Sequence, residues 1–194
     1  MTGQREVADD QWPQDGGDAL DYAIVIPANR IPFRQAPVEH LFADIMRIRM
    51  ACDLLHSLAK RPGAANPGLP AMLGRFFRLD FALHCDDGEK DLLPLLERRL
   101  VTQGVTDRSP NRLRAEHAAD RDSLQFITPL LDGLAQGLPI HDLAAWEVVI
   151  ESFTVSVREH LAWEDSALRV LAESHLTAAD CEALAAGMAR RRLG

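Results

Sequence analysis

Between Ser152 and Leu171 the chain reads SFTVSVREHLAWEDSALRVL, an apolar stripe at helical spacing with an imidazole and a carboxylate set into it. Positions i and i+4 lie on one helix face, a turn apart. Counted from His160, the residues Phe153, Val157, Glu164, Ala167 and Leu171 share that face. The pattern commits the segment to a helix that turns His160 and Glu164 into a core. Buried ionisable groups need partners, so the rest of the fold has to supply them.

The chain of 194 residues is long enough for one domain with a sizeable core. Hydrophobic residues make up 47% and aromatic residues only 6%, and Ala, Leu, Arg, Asp and Glu dominate, which favours helix over strand. A net charge of −8 argues against a general nucleic-acid binder. The one basic run, Arg190–Arg192, is read as a favourable helix C-terminus. Cys52, Cys85 and Cys181 are far apart and form no CxxC, as expected of reduced thiols. The sequence has no apolar run long enough to cross a membrane and no secretory signal pattern, so the expectation is a cytoplasmic protein without membrane partners.

Taken in order, residues 1–36 read as an N-terminal arm, polar and loosely packed over about its first 20 residues. Its segment Tyr22–Ile26 is β-branched and closed by Pro27. One strand cannot stand alone, so the segment is expected to lie along the body or to pair with a second subunit, which leaves a homodimer open. Pro37 opens the first helix, which runs to about Lys60 with Leu41, Ile45, Ile48, Cys52 and Leu55 inward. The Pro- and Gly-rich stretch 61–68 ends it. A second helix is predicted from about Pro70 to Val101 with Phe77, Phe81, His84, Leu92 and Leu95 on one face, and with a kink where Pro94 meets the carbonyl of Lys90. Ser109 as N-cap and Pro110 announce a third, to about Ala135, with Leu113, His117, Leu124, Ile127, Leu131 and Leu134 inward. Asp142 caps the fourth, to about Ser174, and Thr177 with Asp180 opens a shorter fifth. The expected fold is all-α: an up-down-up-down four-helix bundle over 37–174, with the N-terminal extended arm and an additional C-terminal helix over 175–194.

Of seven histidines, His40, His84, His117 and His160 fall one to each main helix. Inward His and carboxylate side chains on facing helices are how metal sites in bundle cores are built. Imidazole suits iron, zinc or copper, and carboxylate bridges suit paired iron or manganese. The segment from His160 to Glu164 resembles the HxxxE motif of the hemerythrin-like (HHE cation-binding) family. The run His84-Cys-Asp-Asp-Gly-Glu-Lys-Asp-Leu-Leu-Pro-Leu-Leu96 resembles the family's second-helix motif and the apolar-Pro stretch after it. Glu39-His40 and Glu116-His117 resemble its EH positions on helices 1 and 3. The resemblance spans about residues 37–174.

That resemblance implies a four-helix bundle around a non-haem iron centre that binds or senses O₂, NO or peroxide. It implies His40, His84, His117 and His160 as imidazole ligands and Glu164 as a bridging carboxylate. The chain departs from the family at Gly88, where a second bridging Glu is expected four residues after His84. Asp87 at i+3 from His84 and Asp44 at i+4 from His40 are the substitutes, with Asp120, three after His117, a third. Glu89 is expected to point elsewhere. Such a site has fewer ligands than an oxygen carrier's and takes a di-iron, a mononuclear or an empty form. Two other functions fit the same residues: a di-iron repair enzyme against oxidative or nitrosative stress, and a metal-free helical interaction module. No GxSxG, P-loop or GxGxxG supports nucleophilic or nucleotide chemistry.

Overall fold

The computed structural model describes residues 26–104 and 109–193, and all its regular elements are helical. Helix α1 spans Pro37–Lys60. Helix α2 runs continuously over 68–102, beginning two residues before the expected start. Helix α3 spans Ser109–Ala135 and passes uninterrupted through Pro129. Helix α4 covers 143–175, and α5 covers Ala178–Leu193. Apart from Ile26, the Tyr22–Ile26 segment lies outside the described residues, as does the capping geometry expected at Ser109. Residues 26–36 carry no helix or strand. They run against α1, where Arg47 Nε donates to the Pro27 carbonyl and Asn29 Nδ2 donates to the His40 carbonyl.

Helix α1 packs on α2 and α4, α3 packs on α2 and α4, and α5 lies against α1 and α2. The four long helices therefore enclose one core. The apolar stripes read from the sequence are what they bury: Leu41, Ile45, Ile48, Cys52 and Leu55 from α1, Phe77, Phe81 and Leu92 from α2, Leu113, Ile127 and Leu131 from α3, and Phe153 and Val157 from α4. Each fully buried aliphatic or aromatic side chain contributes about 1.5–3 kcal/mol.

Two of the long helices are not uniform. Helix α2 contains π turns at Phe77–Phe81 and Gly88–Leu92, and α4 contains one at Glu164–Leu168. A π turn inserts one extra residue into an α-helix, and such turns occur often at functional sites. Next to Pro94, where a kink is expected from the sequence, the helix carries one of these π turns. The Leu93 N–H reaches back to the Gly88 carbonyl, five residues away, and Pro94 then sits in the first turn of Leu93–Thr102, where a missing N–H is tolerated. In α4 the extra residue moves the inward face by one position. Leu168 and Ala172 are buried, where Ala167 and Leu171 were expected and are only partly covered.

Helix α5 is fastened by apolar and polar contacts together. Leu184 and Met188 are fully buried. At its start Thr177 and Asp180 form a reciprocal cap: the Thr177 N–H donates to Asp180 Oδ2 at 2.9 Å, and the Asp180 N–H donates to Thr177 Oγ1 at 3.3 Å. Arg98 and Arg99 of α2 donate to the same Asp180 carboxylate at 2.8 and 2.7 Å. At its other end the basic run turns inward, since Arg191 and Arg192 both bind Asp87 of α2.

Candidate metal centre

Three helices converge on one polar cluster inside this core. His84 is contributed by α2 one turn before the Gly88–Leu92 π turn, His117 by α3, and His160 and Glu164 by α4 at the start of its own π turn. None of the four is more than 3% exposed. His84 Nε2 lies 3.2 Å from Glu164 Oε2, and His117 Nε2 lies 3.7 Å from Glu164 Oε1. Donor atoms of His84, His117 and Glu164 all lie within 4.8 Å of one another. Two donors on one ion, each bonded at about 2.1 Å, stand about 3.0–3.4 Å apart. The His84–Glu164 spacing already meets this, and the His117–Glu164 spacing of 3.7 Å is a few tenths of an ångström longer.

His160 stands beside the three, its ring 5.3 Å from that of His117. Neither of its nitrogens has a hydrogen-bond partner, and neither His117 Nε2 nor His84 Nδ1 has one. His160 Nδ1 is 2.9 Å from Asp120 Oδ2, but the two are not aligned for a hydrogen bond. Around the histidines, then, Glu164 and Asp120 are buried carboxylates whose partners among the described residues are imidazoles. Buried anions without a cation are costly, and buried polar atoms are almost always paired. The cluster calls for positive charge, from protons or from a metal ion.

The same demand appears in its titration. Burial alone would raise the Glu164 carboxyl, but the adjacent His84 and His117 hold it well below the usual carboxylate range. Burial alone would lower His84, but Glu164, with smaller help from Asp44 and Asp87, pulls it above the ordinary histidine value. Each group thus favours the charged form of the other, and a bound cation would take the place of a proton on His84.

The remaining sequence candidates lie outside this cluster. Asp44 binds Arg47 Nη1 at 2.8 Å and Asn29 Nδ2 at 2.9 Å. His40 gives Nδ1 to the Ile31 carbonyl, and its Nε2 lies 3.9 Å from Asp44 Oδ2. Both residues line a cavity of about 190 Å³ with Asn29, Asp80, Leu83 and Arg192. Asp87 is fully buried, and both of its oxygens are taken by guanidinium groups: Arg191 reaches Oδ1 at 2.7 Å and Arg192 reaches Oδ2 at 2.7 Å. The structure therefore brings together His84, His117 and Glu164, places His160 next to them, and ties Asp44 and Asp87 to arginines.

Sequence reasoning missed Glu89. Its carboxylate accepts a 2.9 Å hydrogen bond from His117 Nδ1 and a 2.8 Å one from Arg121. Glu89 meets the Nδ1 edge of His117, an approach that the spacing along one helix cannot reveal. A Cβ added at Gly88 would lie 3.6 Å from His117 Cε1 and 3.5 Å from Leu113 Cδ2, ordinary contact distances, so the His117 ring stands beside α2 with room for a methyl group between them.

No family model, curated protein or solved structure matches the chain.

Proposed function

We propose that the chain is a hemerythrin-like, up-down-up-down helical bundle that holds non-haem iron at His84, His117 and Glu164, with His160 as an adjacent donor, and binds or senses O₂, NO or peroxide. One observation carries the reading: two imidazoles and one carboxylate, all buried, offer donor atoms within 4.8 Å of one another. Two histidines and a carboxylate with further positions open are a donor set suited to non-haem Fe(II). The orphaned nitrogens of His117 and His160 fit the same purpose, since a metal ion would satisfy them.

A single ion is favoured over a pair. A second ion in the family's manner would draw on several further carboxylates; Asp44 and Asp87 are already neutralised by Arg47, Arg191 and Arg192, which leaves Asp120 beside His160. When bound, the iron would supply the open coordination position at which a small ligand is taken up and the redox chemistry that follows. The chain's own residues do the rest. Glu164 lowers the charge of the centre, and the histidines fix its geometry. Ile45, Phe81, Leu113 and Leu161, buried on four different helices, belong to the dry core in which the centre lies.

The reading is tested by loading the protein with Fe(II) under anaerobic conditions and adding nitric oxide. A change in visible absorption that is lost in Glu164→Ala and His84→Ala supports it. An unchanged spectrum from iron-loaded wild type overturns the ligand-binding part. Among the described residues no helix is long and apolar enough to cross a membrane.

A further inference from the structure

Glu89 touches none of the three proposed ligands' inward atoms, yet among the described residues it is the group that holds the outer edge of His117. His117 is fully buried, and its two nitrogens have opposite surroundings. On the outside, Nδ1 lies 2.9 Å from Glu89 Oε1 in good hydrogen-bond geometry. On the inside, Nε2 has no hydrogen-bond partner and faces Glu164 at 3.7 Å. An ionised carboxylate can only accept, so when His117 carries a single proton that proton sits on Nδ1 and the lone pair on Nε2.

We propose that Glu89, itself anchored by Arg121, is a positioning residue that locks His117 in the tautomer and orientation that turn its Nε2 lone pair into the centre. The inference rests on the single-metal reading above for its purpose, though not for its geometry. Arg121 Nη1 donates to the same Glu89 oxygen at 2.8 Å. It reaches Glu89 from α3, one turn beyond His117, so one carboxylate of α2 is held by two side chains of α3. A carboxylate on the outer nitrogen both orients a ligating histidine and raises its basicity, and losing such a partner costs about 10–100-fold in metal affinity.

The alternative is that Glu89 and Arg121 only tie α2 to α3. Such a tie affects thermal stability but selects no tautomer. Long-range ¹H–¹⁵N NMR of metal-free, ¹⁵N-histidine-labelled protein reads the tautomer of His117. Competition titration with Co(II) reads affinity at the centre. Wild type is expected to show His117 protonated at Nδ1 alone. Glu89→Ala is expected to lose that single tautomer and to bind Co(II) about 10–100-fold more weakly, and Glu89→Gln, whose amide oxygen still accepts, is expected to recover most of the loss. Wild-type tautomer and wild-type Co(II) affinity in Glu89→Ala overturn the proposal. Should Glu89→Ala not fold, Arg121→Met takes its place: a loosened tautomer and weaker Co(II) binding support the proposal, and no change in either overturns it. If wild type itself binds no Co(II), the single-metal reading fails, and the tautomer still decides what Glu89 does.

Discussion

The clamp on Asp87 predicts an asymmetry that an exposed ion pair would not show. Asp87 is 0% exposed, whereas the side chains of Arg191 and Arg192 keep 19% and 18% of their surface. Substituting both arginines by Ala strands a carboxylate in the core, and breaking a buried pair this way costs about 3–5 kcal/mol. The arginines differ because their long stems let the charged heads swing to water. Asp87→Ala therefore loses only the net value of charge-assisted hydrogen bonds, about 1.5–3 kcal/mol. The triple variant, with neither acid nor bases, should fall nearer to Asp87→Ala than to the double arginine variant, since removing the stranded charge removes its penalty. Urea unfolding at pH 7 followed by circular dichroism gives the four stabilities, with α5 docking as the element at risk. A cost below about 1 kcal/mol for Arg191→Ala/Arg192→Ala, the range of exposed pairs, would refute the reasoning. So would a triple variant less stable than the double. None of these variants should change metal stoichiometry, because Asp87 is spoken for by α5.

Two glycines should respond oppositely to Ala. Gly88→Ala meets only ordinary contacts and should stabilise α2 by about 0.5–1 kcal/mol, whereas at Gly187 the new Cβ would overlap the Asp91 carboxylate and cost about 1–3 kcal/mol, both read from thermal melts; a Gly187→Ala protein as stable as wild type would contradict the close approach of α5. Hydrogen bonds from Arg99, Thr177 and Arg98 hold the Asp180 carboxyl well below its usual range, with burial opposing them. Its stabilisation is therefore fully present above the unfolded-state value, about 3.9, and is lost as the pH falls below it, so the melting-temperature deficit of Asp180→Asn at pH 7 should shrink on acidification toward pH 2. Burial pushes the Cys52 thiol up to about 12 and Cys85 well above its ordinary value, while Cys181 is partly exposed. Native protein at pH 8 should show one thiol reactive to an aromatic disulfide reagent, and three after unfolding; three fast thiols before unfolding would contradict the packing.

Much of the helical frame was legible because its signals are local. Stripes such as Leu41, Ile45, Ile48, Cys52 and Leu55 record burial directly, and Asp142 and Thr177 announce helix starts through their own side chains: Asp142 accepts from the Ala145 N–H at 2.9 Å. The π turns were not legible. Nothing in a sequence periodicity of 3.6 marks an inserted residue, so the face expected at Ala167 and Leu171 moved to Leu168 and Ala172. For the centre, the sequence placed His84, His117, His160 and Glu164 on inward faces, but not which of them would meet. The surroundings of Asp87 were hidden for a different reason: its counterions are more than a hundred residues away, in a basic run that read as an ordinary helix C-terminus. Glu89 and Arg121 were invisible in the same sense, since their roles exist only once α2 and α3 are side by side.

The central claim is that the buried imidazoles and Glu164 hold one metal ion. It is tested most directly by metal content per chain, measured by mass spectrometry on protein made in iron-replete cells and purified anaerobically without chelators. The account predicts about one iron per chain in wild type and in Asp87→Ala, falling to near zero in the His84→Ala/Glu164→Ala double variant. Wild-type protein without stoichiometric metal, or iron retained by the double variant, would contradict it.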